Sequence, residues 1–412
     1  MERLAHTNPL INRRKFLRIA GGAALLPVLP AGILSASVAE RWLSARRTLL
    51  LLPSSELYPD LGKNYLAGVE AFRQSAQAHA LQNMEFLIED TGIGQGRMLR
   101  IARDRITSEN IRLISGIVDP TLNPGLVELC REKNVMLLAN HAGANVHETG
   151  TGDPNIVQNS LHYWQASHAM GVWAAGHAGR RAVIVSSFYE SGYDAHRAFG
   201  LGFESAGGEV LRSVVSNKPG DHDDRRLPVE TIGKLQPDVV FAAYTGHEAV
   251  EFLRAFNNTG LARKTKLITS GFMVDEPFLA QAGPGAYGIL NCHTWAPGLE
   301  NAANQALDRY FRKRLGKAPD VFGVIGFETA LLLDEIRRNG RIPDAGVSGP
   351  RGALQHQAGP DGPLYLCEVK QVNGKPENVV VAELSHSATG SGPVAINDAT
   401  ARSGWLNTYL CV

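Results

Sequence analysis

Cysteine is scarce. The 412 residues hold four, Cys130, Cys292, Cys367 and Cys411, with no C-x-x-C spacing, which excludes a thiolate metal knuckle and leaves three disulfide pairings open. Net charge is scarce as well: 41 Lys plus Arg stand against 40 Asp plus Glu, so no chain-wide field would draw nucleic acid. Catalytic signatures are missing. There is no G-x-S-x-G elbow and no Walker loop, and His247-Glu248 is followed by Glu251 where a zincin needs its second His. Gly92-Ile93-Gly94-Gln95-Gly96 lacks the glycine spacing of a dinucleotide site and reads as a tight turn. Asp221, His222, Asp223 and Asp224 read as a solvated loop. His162 and His168 are out of phase for joint metal ligation, and Trp164 and Trp173 are too far apart to share one helical face, so both tryptophans read as packing. These absences point to a protein that is not an enzyme and carries neither cofactor nor metal.

What is present is core. Hydrophobic residues make up 44% and charged residues 20%, a soluble globular balance, and the length suggests two domains. The first 39 residues differ from the rest. Arg13-Arg14 precede Phe16-Leu17; an apolar stretch from Ile19 to Ala39 follows, broken by Pro27 and Pro30 and ending in the small-x-small run Ser37-Val38-Ala39. The segment resembles a twin-arginine signal peptide, cleaved near Ala39. It holds no Cys, so lipid attachment at the cleavage site is excluded. The resemblance implies export of an already folded chain by the twin-arginine machinery to the periplasm, and such a fold cannot depend on disulfides.

Strands and helices alternate along the body. Thr48 to Leu52 predicts an apolar strand, and Tyr65, Val69, Phe72 and Ala76 mark a helix. Strands follow at Met84 to Ile88, Ile111 to Ile114 and Val135 to Leu138, with a helix capped at Asn123 ahead of Pro124. Residues 139–155 read as a loop. The rhythm restarts with a helix through Trp164 and Trp173, strands at 182–185, 210–215, 239–243 and 266–269, and helices at 301–315 and 321–338. Residues 364–372 and 379–384 flank a turn at 373–378 and predict a β-hairpin; 385–412 reads as a loosely held tail. Two parallel α/β sheets result, and ligands bind at the carboxyl ends of such strands. The loops there carry Ser54, Tyr58, Asp119, Thr121, Asn140, His141, Ala142, Gly143, Tyr193, Tyr244, Thr245 and Phe272. Hydroxyls, amides, rings and free backbone N–H groups suit a small polar ligand.

Leu51-Leu-Pro-Ser-Ser, Tyr58-Pro-Asp-Leu-Gly62 and Gly68-Val-Glu-Ala-Phe72 open a series of motifs in order. Glu89-Asp90, Ser115-Gly116, Asn123-Pro124, Tyr189-x-x-Gly192-Tyr193, Pro237-Asp-Val-Val-Phe241 and Gly349-Pro-Arg-Gly352 continue it. Over residues 47–384 the chain resembles the branched-chain amino acid (leucine/isoleucine/valine-binding) substrate-binding proteins of ABC transporters. The resemblance implies the type I periplasmic-binding-protein fold: two Rossmann-like lobes joined by three crossover hinge strands. Lobe one would be 47–162 plus 293–345, and lobe two 163–292 plus 346–384. A ligand carboxylate would meet Asp119 to Thr121 and Asn140 to Gly143, with Tyr193, Tyr244 and Thr245 contributing from lobe two. The family's acidic ammonium contact, after strand 266–270, falls on Gly271 or Phe272, and Asp275 or Glu276 could replace it only with a shifted loop. The implied function is capture of an amino acid, amide or small carboxylate for a membrane permease. A ligand-sensing receptor of the same fold, and an exported cofactor-bearing oxidoreductase, are the competing readings.

Overall fold

The computed structural model describes residues 45–53, 59–92, 95–120, 122–143, 153, 155–191, 195–218, 220, 223–342, 346–354 and 362–384. The signal segment and the C-terminal tail lie outside the described residues, as do Ser54, Tyr58, Thr121, Tyr193 and Cys411.

Strand β1 (Arg47–Leu52) is buried from its second residue on, because leucines face both ways out of it. Such a strand needs a helix layer on each face. It pairs in parallel with β2 (Glu85–Asp90) on one side and β3 (Leu113–Ile117) on the other. Strands β4 (Met136–His141) and β5 (Ile156–Ser160) extend this sheet to the order β2-β1-β3-β4-β5. Leu49 and Leu51 pack on α2 (Gln95–Ser108) and α3 (Pro124–Lys133), whereas Leu50 and Leu52 share a core with α1 (Leu61–Arg73), α10 (Ala302–Leu315) and α11 (Val321–Asn339).

The second sheet runs β14-β13-β10-β9-β8-β6-β7, from β6 (Arg181–Ser187), β7 (Glu209–Ser216), β8 (Val239–Ala243), β9 (Lys266–Ser270), β10 (Leu290–His293), β13 (Leu364–Val372) and β14 (Lys375–Leu384). Helices α4 (Tyr163–His177) and α6 (Ala195–Ser205) share a core with Ile184, Phe241 and Ile268; α5 (Phe188–Ser191) is a single turn after β6. The other face packs on α7 (Leu227–Leu235), α8 (Gly246–Asn258) and α9 (Glu276–Ala282). Each sheet has one helix pair in backbone contact. A Cβ on Gly326 of α11 would lie 1.9 Å from the Tyr65 carbonyl, and one on Gly171 of α4 would lie 2.2 Å from that of Phe199, so only glycine admits these approaches.

The chain crosses between the sheets three times. It passes from β5 to α4 through Leu161 and His162, from β10 to α10, and from α11 back to β13 through a hairpin of β11 (Val347–Gly349) and β12 (Gly352–Leu354). That hairpin, assigned to lobe two by a boundary at 346, packs on α10 and α11 beside sheet one.

Three expectations need correction, and the open question of the cysteines is answered for three of them. The stretch 139–155 is not all loop, since β4 runs on to His141, and β5, polar at Gln158 and Asn159, follows unannounced. The terminal hairpin turns on Asn373-Gly374 alone, both with positive φ as a tight hairpin turn requires, and pairing resumes at Lys375. Asn123 occupies the N-cap position of α3, but its Nδ2 donates back to the Asp119 carbonyl at 3.0 Å instead of its oxygen accepting from the helix. Cys130, Cys292 and Cys367 are free and buried. Cys292 pairs across with Leu366 rather than Cys367, so the two thiols point to opposite faces of the sheet and cannot bridge. Burial pushes the Cys130 and Cys367 thiols up to about 12, which leaves them unreactive at neutral pH.

Candidate functional site

Both sheets end toward the crossovers, and Asp119, Asn140, His141, Ala142, Gly143, Tyr244, Thr245 and Phe272 fall at those carboxyl ends. Of the residues at the end of sheet one, Asn140 is fully buried and fully committed. Its Nδ2 donates to the Gly116 carbonyl at 2.8 Å and lies 3.3 Å from the Tyr65 hydroxyl, while its Oδ1 accepts from Asn159 at 3.0 Å and Thr329 at 3.2 Å. No capacity is left for a ligand. Asn140 is a bracket between strands, contrary to its expected role as a contact.

His141, the next residue, is 7% exposed, and neither ring nitrogen has a partner. Asp119 is buried, and its backbone carbonyl accepts from Leu122 and Asn123 at the turn into α3. Ala142 and Gly143 act through their carbonyls. These accept from the N–H groups of Tyr163 and Trp164, both at 2.9 Å, so the end of β4 satisfies the first turn of α4.

Tyr163 links the two sheets. Its ring stacks on Phe272 with centroids 4.4 Å apart, and its hydroxyl donates to Glu190 at 3.1 Å. Thr245 donates to the other Glu190 oxygen, and Glu190 is wholly buried. Thr245 and Phe272, candidates from separate strands, thus meet around two residues that sequence reasoning missed. Glu190 had a signal of its own, an acid in the segment that follows the apolar run Ala182 to Val185; Tyr163 had none. Tyr244 does not join them. Its hydroxyl is 3.0 Å from Ser216 and its ring stacks on Phe252 at 4.7 Å, while burial holds the phenol well above its ordinary pKa. It belongs to the core under α8, which corrects its expected ligand contact.

The end of β9 has no acidic side chain, and the geometry closes it to one. A Cβ on Gly271 would lie 2.3 Å from His293 Cδ2, and Phe272 is held by Tyr163. Asp275 caps α9 by accepting from the Phe278 N–H at 3.1 Å, and burial raises its carboxyl to about 8. Burial likewise lowers His293 to about 4, with Arg351 adding to the shift. Phe272, Asp275, His293 and Trp295 line a cavity of about 40 Å³ that Asp320 and Val321 close at the start of α11. The Ser270 hydroxyl at the end of β9 is buried with no partner, as His141 is at the end of β4. An unmet buried polar group costs about 1–3 kcal/mol. Among the described residues no group of three or more His, Cys, Asp or Glu could hold a metal ion.

Known proteins repeat this plan. Residues 49–344 match the family described as periplasmic binding protein. The Leu/Ile/Val-binding protein homolog 6 of Brucella melitensis is 23% identical over 265 residues, 63% of this chain and 67% of that protein. A solute-binding protein of an ABC transporter from R. palustris, solved in complex with benzoate, is 27% identical with a TM-score of 0.70, covering 83% of this chain and 97% of its own. The leucine-, isoleucine-, valine-, threonine- and alanine-binding protein of Brucella ovis, in a closed conformation, is 16% identical with a TM-score of 0.68 over 85% of this chain and 97% of its own. Since the match begins within the first strand of one sheet and runs past the helix that leads into the third crossover, this chain belongs to the periplasmic binding protein family and has its type I fold.

Proposed function

We propose that the protein is the extracytoplasmic substrate-binding component of an ABC transporter and that it captures a small aromatic carboxylate of the benzoate class. The observations that carry this reading are the unmet polar groups of His141, at the end of β4, and Ser270, at the end of β9, together with the stack of Tyr163 on Phe272. An imidazole and a hydroxyl can both donate to a carboxylate, and rings offer an aromatic solute a flat wall. The closed position at Gly271 and the engaged carboxyls of Glu190 and Asp275 support a ligand without an ammonium group. The benzoate complex of the R. palustris relative points the same way. Binding would draw the two lobes together, a hinge closure that presents one conformation to the permease. The Arg13-Arg14 segment would route the folded chain through the twin-arginine machinery to the periplasm.

A second reading, an aliphatic amino acid as ligand, is favoured by the name of the B. melitensis relative. Calorimetric titration of the purified protein with benzoate, 4-hydroxybenzoate and leucine decides between them. The aromatic reading expects a benzoate Kd at least a hundredfold below that for leucine, weakened by His141→Ala and Ser270→Ala. Tighter binding of leucine would sink it.

A further inference from the structure

The third crossover carries an arginine, Arg351, in the turn between β11 and β12. A turn arginine is ordinarily a solvated charge. This one is 7% exposed. Its Nε donates to Glu328 Oε1 at 2.9 Å and its Nη2 to Oε2 at 2.7 Å; Glu328, on α11, is wholly buried. Its Nη1 donates to the carbonyl of Ser160, the last residue of β5, at 2.6 Å, and Nη2 also donates to Asn159 Oδ1 at 2.5 Å.

The array runs on from there. Asn159 donates to Asn140, and Asn140 donates to the Gly116 carbonyl of β3. Gly116 lies three residues before Asp119, and Asn140 directly precedes His141. One buried set of hydrogen bonds therefore joins the third crossover to the carboxyl ends of β3, β4 and β5. By gripping Ser160 it also holds the first crossover, which is two residues long.

The geometry points to Arg351 as a positioning residue of the binding site: through Asn159 and Asn140 it sets the ends of β3 and β4, and through Ser160 it fixes the post about which lobe two turns. Stability alone does not account for the arrangement, because a buried ion pair adds little over apolar side chains of similar volume. A fork of fixed geometry whose partners are all satisfied instead specifies one arrangement. Lysine at this position would face Glu328 with a single ammonium and could not also hold Asn159 and Ser160.

The inference rests on the binding-protein reading only for its ligand readout. Hydrogen exchange is measured by mass spectrometry on the ligand-free full-length protein, on Arg351→Lys, and on the double variant Arg351→Met with Glu328→Met, which buries no unpaired charge. Exchange across 113–120 and 136–143 should rise at least tenfold in both variants, while 47–52 in β1 and 181–187 in β6 keep their wild-type rates. The benzoate Kd should rise at least tenfold in Arg351→Lys although its Tm stays within a few degrees of wild type. Unchanged exchange at 136–143, or an equal rise throughout sheet one, overturns the positioning role. Wild-type protein that fails to bind benzoate would remove the ligand class and leave the exchange result to decide on Arg351.

Discussion

At the carboxyl ends of sheet one, Asn140, Asn159 and Glu328 are locked by amides, hydroxyls and the Arg351 guanidinium, whereas at the ends of sheet two Phe272 and Tyr244 are locked by rings stacked at 4.4 and 4.7 Å. Hydrogen bonds fix direction and are costly to leave unmade. Stacked rings hold through area and tolerate small sliding. The contrast teaches that sheet one presents a fixed wall, while the sheet-two side can adjust against a ligand. Glu190, bound to Tyr163 and Thr245, and the Tyr244–Ser216 hydroxyl pair bring the first kind of bonding into the second region.

The comparison breaks first at its most costly point. Glu328→Leu strands the Arg351 charge in a dry site and should cost about 3–5 kcal/mol, read as a lower urea midpoint. A smaller loss would mean that water reaches the guanidinium. Phe272→Ala removes a nearly buried ring and should cost about 3 kcal/mol, together with weaker benzoate binding in calorimetry. Affinity unchanged at that cost would take Phe272 out of the site and leave it as core. Next comes Asn140→Ala, which leaves the Gly116 carbonyl unmet and takes one of its two acceptors from the Asn159 amide, for about 2 kcal/mol. A variant as stable as wild type would mean that these groups find other partners.

The smallest effect has the opposite sign and sharpens the comparison through pH. The Asp275 carboxyl titrates at about 8 when folded, against 3.8 for the ordinary group, so the folded state holds a proton that the unfolded chain has released. Stability should therefore fall as pH rises from about 4 to about 8 and then level off. Asp275→Asn keeps the cap on α9 and removes that titration. Its Tm should equal the wild-type value at pH 4 and exceed it at pH 9, the gap opening between those two values. Parallel pH curves for the two proteins would mean that Asp275 is solvated.

Much of the scaffold was legible because burial on both faces leaves an unbroken apolar run. Leu49 to Leu52 and Val239 to Ala243 could be read as central strands for that reason. Strand β5 could not, since Gln158 and Asn159 place polar side chains where a periodic signal would need apolar ones. The candidate site divides the same way. Ala142, Gly143, Thr245 and Phe272 were reachable as residues that follow strands, and the structure gathers them around Tyr163. Asn140, inside β4, and Tyr244, directly after β8, turn inward instead.

Local periodicity, composition and turn chemistry act over a few residues, so the sequence by itself determined which segments became strands and helices and that they would layer as two α/β units. Which polar side chains find hydrogen-bond partners within the protein, and which are left unmet, was decided by the tertiary structure alone. Arg351 finds Glu328 and Asn159 from 23 and 192 residues away, and His141 finds no partner at all, because burial and satisfaction depend on what the packed fold brings within 3 Å rather than on sequence neighbours.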